Sequence, residues 1–311
     1  MSLAKPCFQT HAHAKLNLVL RVGPAVDAPG TKTHGYHPIC SYMHAIELYD
    51  DVEIQLQSST DQTIFDIAWL RDDGIAQIVD WPIQQDLVYR AHQAMEVAAG
   101  EPLVCSIRVH KRIPAGGGLG GGSSDAASVI IGLNEVFELG FENHQVQTIA
   151  AGLGSDIAYF IDDQVSRGVS SPRPGIVSGF GETIERLKTQ HAGQEVALVL
   201  PGFGCDTKAV YQAFDRGSVE MLDPGGVRAI TMRPEIDQQL LRNDLADPAC
   251  VVQPALSEVF ARLSRSFPGR VHITGSGSTM FILGPLPKGQ IEEVVPECRV
   301  VRTRLADPTV H

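Results

Sequence analysis

Pro114-Ala-Gly-Gly-Gly-Leu-Gly-Gly-Gly-Ser-Ser-Asp-Ala-Ala127 places six glycines among residues 116–122, followed at once by two serines. Without a Cβ, glycine adopts positive φ and lets backbone N–H groups converge on a ligand. Before this run, Val104–His110 reads as a short strand. After it, Ser124–Leu139 reads as a helix, because Ala126, Ile130, Leu133 and Phe137 fall on one stripe that no proline interrupts. Strand, glycine turn and helix in that order present a helix N-terminus whose free donors and partial positive charge favour phosphate.

Three uses of such a loop differ in what must stand near it. A Walker A loop needs Lys after its last glycine, and Ser123 stands there. A dinucleotide fingerprint fits Gly116, Gly118 and Gly121, but Glu135 and Glu138 belong to the following helix rather than to the end of a next strand. A nicotinamide oxidoreductase therefore rests on glycine spacing alone. An idle turn is a poor explanation, since each glycine costs about 0.5–1 kcal/mol relative to alanine.

Towards the N-terminus, Ala14–Arg21 alternates, which predicts Leu16, Leu18 and Leu20 on one strand face and Lys15, Asn17 and Val19 on the other. A Gly/Pro/Thr-rich loop covers Gly23–Gly35, strand-like sequence runs from Tyr42 to Leu56, and Asp86–Ala99 has helical spacing. Towards the C-terminus, helices are expected at Gln145–Leu153, Thr207–Arg216 and Leu256–Phe267, with a strand at Val196–Leu200. Val271–Leu283 reads as two strands joined by a small-residue turn, and Asp163–Gly181 as irregular. A domain boundary is expected between residues 165 and 195.

Bulk properties limit the function classes. The 311 residues are 43% hydrophobic and 20% charged, which is a globular composition. The net charge of −11 argues against general nucleic-acid binding, which needs Lys and Arg, but leaves room for one nucleotide in a local pocket. No apolar run reaches the ~20 residues a membrane helix needs. Met1–Thr10 lacks the basic stretch and apolar core of a signal peptide. Six scattered cysteines with no Cys-x-x-Cys pair read as reduced thiols, so a cytoplasmic location is expected without disulfides or zinc. His11-x-His13 lacks a third ligand and reads as incidental.

The glycine run resembles the phosphate loop of the GHMP kinases, which phosphorylate small molecules. Other segments resemble that family in the same order along nearly the whole chain: Ala14-Lys-Leu-Asn-Leu18, Gly35-Tyr-His37, Gly154-Ser-Asp156, Pro201-Gly-Phe203 with Thr207 and Tyr211, Asn243-Asp-Leu245, and Gly275-Ser-Gly277. The triple glycine before Ser123-Ser124 is similar to the branch acting on a diphosphocytidyl-linked methylerythritol. The resemblance implies an α+β, two-domain GHMP kinase fold, with a ribosomal-protein-S5-like domain over 1–180 and a ferredoxin-like domain over 181–311.

By the same resemblance, ATP with Mg²⁺ is the donor, and the 2-hydroxyl of diphosphocytidyl-methylerythritol is the acceptor, in the methylerythritol phosphate route to isoprenoids. The ATP phosphates are assigned to Pro114, Ala115, Gly116, Gly117, Gly118, Leu119, Gly120, Gly121, Gly122, Ser123 and Ser124. Asp156 is the implied general base, and Lys15 the cation that stabilises it and the developing alkoxide. Asn17, Tyr36, His37 and Tyr211 are the implied substrate contacts, two aromatic rings sandwiching the cytosine at about 1–3 kcal/mol per ring and His37 reading the base edge by a hydrogen bond. No metal ligand and no oligomeric state follow.

Each residue also has a plainer reading: Asp156 as a helix N-cap, Lys15 and Asn17 as solvent-facing strand residues, and Gly-Tyr-His as a turn. The chain departs from the family where Ile157-Ala158 replaces the usual Val-Pro, where Asp86 replaces Asn beside the adenine, and in a longer, Ser/Pro-rich Val165–Gly181 segment. These departures keep a different GHMP kinase and a catalytically silent nucleotide-binding homologue as rivals.

Overall fold

A computed structural model of the chain describes residues 7–31, 33–57, 62–70, 76–163, 171–188, 191–217 and 220–309. Its first part runs β1 (Cys7–Val22), β2 (Ile39–Leu56), β3 (Ile64–Leu70), β4 (Ala76–Ile78), α1 (Leu87–Ala99), β5 (Cys105–Lys111), α2 (Gly121–Val136), α3 (Asn143–Leu153), α4 (Ile157–Phe160), β6 (Gly175–Gly179) and β7 (Thr183–Arg186). The second part runs β8 (Glu195–Leu200), α5 (Thr207–Phe214), α6 (Pro224–Thr231), α7 (Ala246–Val252), α8 (Pro254–Ser266), β9 (Val271–Ile273), β10 (Met280–Leu283) and β11 (Arg299–Arg304).

The first sheet has the order β4-β3-β5-β2-β6-β7, with β1 on the other side of β2. The long β2 serves both halves, pairing β6 along Ile39–Met43 and β5 along Asp51–Leu56. A second, antiparallel sheet has the order β11-β8-β10-β9. Helices α1 and α2 cover the first sheet, where the alternating Cys105, Ile107 and Val109 of β5 meet Val88, Met95, Ile130 and Leu133. A second apolar cluster joins the sheets, with Leu16, Leu18 and Tyr42 against Leu198, Leu200 and Phe281. This is the two-part α+β architecture expected of a GHMP kinase.

Some boundaries differ from the sequence reading. Helix α2 begins at Gly121, three residues before the expected start, because Gly120 (φ 73°) makes the turn and the last two glycines are already helical. It ends at Val136 rather than Leu139, where Glu138 takes φ 52°. The stretch expected to be irregular contains strand β6; part of it, residues 164–170, lies outside the described residues. A cut at 180/181 falls in the turn between β6 and β7, so the division that keeps both sheets whole lies between Arg186 and Glu195.

Candidate active site

The glycine run lines a cavity of about 290 Å³ together with Trp81, Asp86, Lys111 and Ile113. Gly116, Gly118 and Gly120 have φ of 70°, 77° and 73°, a left-handed backbone that a side chain would strain. Space is short as well: a Cβ on Gly118 would lie 2.6 Å from the Thr274 carbonyl oxygen, too close to fit, and one on Gly120 would lie 3.1 Å from Lys15 Cγ, so that the lysine would have to give way. The loop is tied to β1 by Lys15 N–H donating to Leu119 O at 2.9 Å, and to the second sheet by Thr279 N–H donating to Gly117 O at 3.3 Å. The N-terminus of α2 therefore opens on a cradle that a phosphate chain can fill. Pro114 through Ser123 line this cavity, whereas Ser124 is buried behind it.

At the cavity's other end, Asp86 caps α1, its Oδ1 accepting from Val88 N–H at 2.8 Å and its Oδ2 from Trp81 Nε1–H at 2.8 Å. Both oxygens of this departure from the family pattern thus have structural partners. Below the loop, Lys111 donates to Asp50 at 3.1 Å and to Asp125, with all three side chains buried. Burial works against the Lys111 charge, but Asp125 and Asp50 outweigh it and raise its pKa. Burial also lifts Asp125 well above the carboxylate range, and Asp50 adds to the shift. The network ties the strand entering the loop to the helix leaving it; only the Lys in the entering strand and the Asp in the leaving helix hinted at it.

Lys15 and Asn17 are each only 3% exposed, so the solvent-facing reading does not hold. The cause is a pair of register shifts between β1 and β2, one between His13 and Lys15 and the other between Asn17 and Val19. Each shift turns the following side chains to the opposite face. Ala12, Leu20 and Val22 therefore pack with the helix-side core, while Ala14, Leu16 and Leu18 between the shifts pack in the cluster joining the sheets. Strict alternation had put Leu20 with Leu16 and Leu18; the second shift separates them. Lys15 and Asn17, inverted with their segment, face inward.

There, Lys15 Nζ donates to Asn17 Oδ1 at 2.5 Å and lies 3.1 Å from Asp156 Oδ2. Asn17 Nδ2 donates to Ser41 Oγ at 2.8 Å, and Asn17 N–H to Thr274 Oγ1 at 2.9 Å. Asp156 occupies the N-cap position of α4, yet its side chain makes no capping hydrogen bond. Its carboxylate, 30% exposed, faces Lys15 and solvent instead. The pair sits beside the glycine cradle, with Lys15 stems against Gly120. The arrangement can hold an anion's charge and accept a proton from a hydroxyl placed between carboxylate and phosphate.

The aromatic residues flank this pair. Tyr211 lies on His37, with ring centroids 5.1 Å apart and planes at 33°. Burial first, and the Asp156 charge second, push the Tyr211 hydroxyl up to about 12. His37 Nδ1–H donates to Gly23 O at 2.9 Å and its Nε2 lies 3.3 Å from Asp215, so both ring nitrogens are engaged. Tyr36 is 61% exposed, with its ring edge to face with Phe180 at 6.4 Å. Phe180, in the β6–β7 turn, was missed; nothing in the local sequence marks it, since only the fold brings it to Tyr36.

The remaining motif residues hold the cleft together. Asn243 Nδ2 donates to Ile273 O and Gly275 O at 2.8 Å each, fixing the turn that meets the glycine loop. Asp244 accepts from Arg21 Nε and Val22 N–H, tying that segment to β1. Thr207 Oγ1 and Ser276 Oγ share a 2.8 Å hydrogen bond across the same cleft. Among the described residues, no three His, Cys, Asp or Glu side chains cluster to hold a metal ion.

Residues 86–165 match the family described as GHMP kinases N terminal domain. The 4-diphosphocytidyl-2-C-methyl-D-erythritol kinase of Citrifermentans bemidjiense is 30% identical over 84% of this chain and 86% of its own length. The enzyme of the same name from Chromobacterium violaceum is 32% identical over 87% of this chain and 84% of its own. A crystal structure of 4-(cytidine 5'-diphospho)-2C-methyl-D-erythritol kinase superposes with TM-score 0.72 at 27% identity, covering 96% of this chain and 100% of that one. Homoserine kinase from Cytophaga hutchinsonii shares the fold with TM-score 0.63 at 14% identity, covering 98% of both chains. The chain belongs to the 4-diphosphocytidyl-2-C-methyl-D-erythritol kinase family of the GHMP kinases.

Proposed function

We propose that this chain transfers the γ-phosphoryl group of ATP to the 2-hydroxyl of 4-diphosphocytidyl-2-C-methyl-D-erythritol, giving the 2-phosphate and ADP in the methylerythritol phosphate pathway. The observation that carries this reading is the Lys15–Asp156 ion pair at 3.1 Å, set beside a glycine cradle and flanked by the exposed Tyr36 ring and the half-buried Phe180. Asp156 takes the hydroxyl proton as the oxygen attacks the γ-phosphorus, and the bond to ADP breaks. Lys15 holds Asp156 in place and stabilises the oxygen as its charge grows. Backbone N–H groups from Gly116 to Ser123 hold the phosphates, so catalysis is mainly positioning and charge stabilisation. Mg²⁺ bound with the nucleotide would supply charge neutralisation on its phosphates, since no cluster of carboxylates among the described residues is set aside to hold it.

Tyr36 and Phe180 offer ring faces to the cytosine, each stack contributing about 1–3 kcal/mol. Tyr211, from α5 in the second part of the chain, lies on His37, which stands just before β2 in the first, and Asn17 reaches the acceptor from β1. We place the enzyme in the cytoplasm; six free cysteines suit a reducing compartment, and no helix among the described residues is long and apolar enough to cross a membrane. The intact Lys15–Asp156 pair speaks against a silent homologue. The test is ³¹P NMR of a mixture with ATP, Mg²⁺ and the diphosphocytidyl substrate. A new phosphomonoester signal growing with ADP is expected; ADP without that ester would contradict the acceptor assignment.

A further inference from the structure

Asp156 carries its proposed role from an insecure position. Helix α4 has only four residues, too few to hold its own shape by internal hydrogen bonds. Asp156 spends none of its carboxylate on capping it. What fixes the carboxylate must therefore come from outside the turn.

The β6–β7 hairpin meets both ends of that turn. Gly181 (φ 107°) lies so close to Ser155 that a Cβ there would stand 2.3 Å from the Ser155 carbonyl oxygen. At the far end, the Arg186 guanidinium donates to Tyr159 O at 2.6 Å and to Ile161 O at 2.8 Å, the latter also accepting from Gln147 Nε2 at 3.4 Å. Its other terminal nitrogen donates to Arg173 O at 2.9 Å, its Nε lies 3.5 Å from Asp162 Oδ2, and its plane lies 5.2 Å over the Tyr159 ring. Arg173 grips the same Asp162 carboxylate at 2.8 and 3.0 Å. The side chain is 13% exposed and bridges three carbonyls from two separate nitrogens, a span that a planar fork has and the single nitrogen of a lysine lacks.

We propose that Arg186 is a positioning residue for phosphoryl transfer, clamping the α4 turn so that the Asp156 carboxylate stays opposite Lys15. The assignment rests on the reading of Asp156 as the group that accepts the hydroxyl proton. A shift of about 1 Å in a reacting group costs on the order of 10²-fold in rate, so loosening this turn should appear in kcat before it appears in nucleotide binding. The same hairpin carries Phe180, so the clamp also sets the distance between the aromatic wall and the carboxylate.

The test compares the full chain with Arg186→Lys and Arg186→Ala, reading steady-state ADP release and amide hydrogen exchange. Arg186→Ala should lower kcat by about 10²-fold with little change in the KM for ATP, and Arg186→Lys by roughly tenfold. Exchange should quicken over residues 157–161 while α2 keeps its protection, and added guanidinium should restore part of the lost kcat. Unaltered exchange over 157–161, or an unchanged kcat in Arg186→Ala, would overturn the assignment. So would a loss of protection across the whole chain that guanidinium leaves untouched. If the unaltered chain phosphorylated no acceptor, the proposed function would fall; unchanged exchange with normal turnover would sink the clamp alone.

Discussion

At the scale of single residues, the Lys15–Asp156 pair turns on two register shifts that composition does not announce. Taken alone, Lys15 has the pattern of an exposed strand lysine and Asp156 that of an N-cap. Both plainer readings fail in the structure for a physical reason: the strand inverts at Lys15, and the Asp156 carboxylate faces the ammonium instead of its own helix. Only the ordered likeness to a kinase family gave these residues weight in the sequence. Phe180 had no such signal, because its partner Tyr36 lies far away in the chain. Asp156→Asn preserves shape but removes the proton acceptor. It should lower kcat by about 10²–10⁴-fold while calorimetry still finds ATP binding; turnover near that of the unaltered chain would remove Asp156 from the role of base.

At the scale of elements, the strand, glycine turn and helix that open the phosphate cradle were legible from one stretch of sequence. Six clustered glycines have few uses, and the apolar stripe after them requires a helix. What was not legible is why each glycine must be one. Gly118 owes its constraint to Thr274, which the chain supplies more than a hundred residues later, in a turn pinned by Asn243. Gly118→Ala meets a positive φ, costing about 1–2 kcal/mol, and in addition a backbone oxygen with no freedom to withdraw. The loop should be displaced, with a raised KM for ATP and a lowered melting temperature. An unchanged KM for ATP would show that the loop does not approach the nucleotide as closely as described.

At the scale of the whole molecule, a boundary ahead of residue 195 was readable from the restart of strand patterning and the two-part α+β plan from the family resemblance, whereas the seam between the sheets was not. Three polar side chains lie in that seam: Tyr42 Oη shares a 2.7 Å hydrogen bond with His191 Nδ1, and His44 is fully buried with Nδ1–H donating to Ala45 O at 2.9 Å. Burial pushes His44 down to about 4, and does the same to His272 in the second sheet. In the unfolded chain these rings titrate near the ordinary value of about 6.5. Below that pH the unfolded state binds protons that the folded state refuses, so stability is full above about 6.5 and falls as pH drops towards 4. His44 alone accounts for about 3 kcal/mol of that loss. Urea midpoints at several pH values should show the decline, and His44→Gln should flatten it; a variant with the slope of the unaltered chain would exclude His44 as its source.

The central claim concerns the acceptor: under the proposed function, the aromatic wall of Tyr36 and Phe180 would select among substrates. The direct measurement is the rate of Mg²⁺-dependent ADP release with diphosphocytidyl-methylerythritol, mevalonate and homoserine offered separately to one preparation. Rapid release with the diphosphocytidyl compound and only background release with the other two is the predicted result. Comparable turnover of mevalonate or homoserine would contradict it.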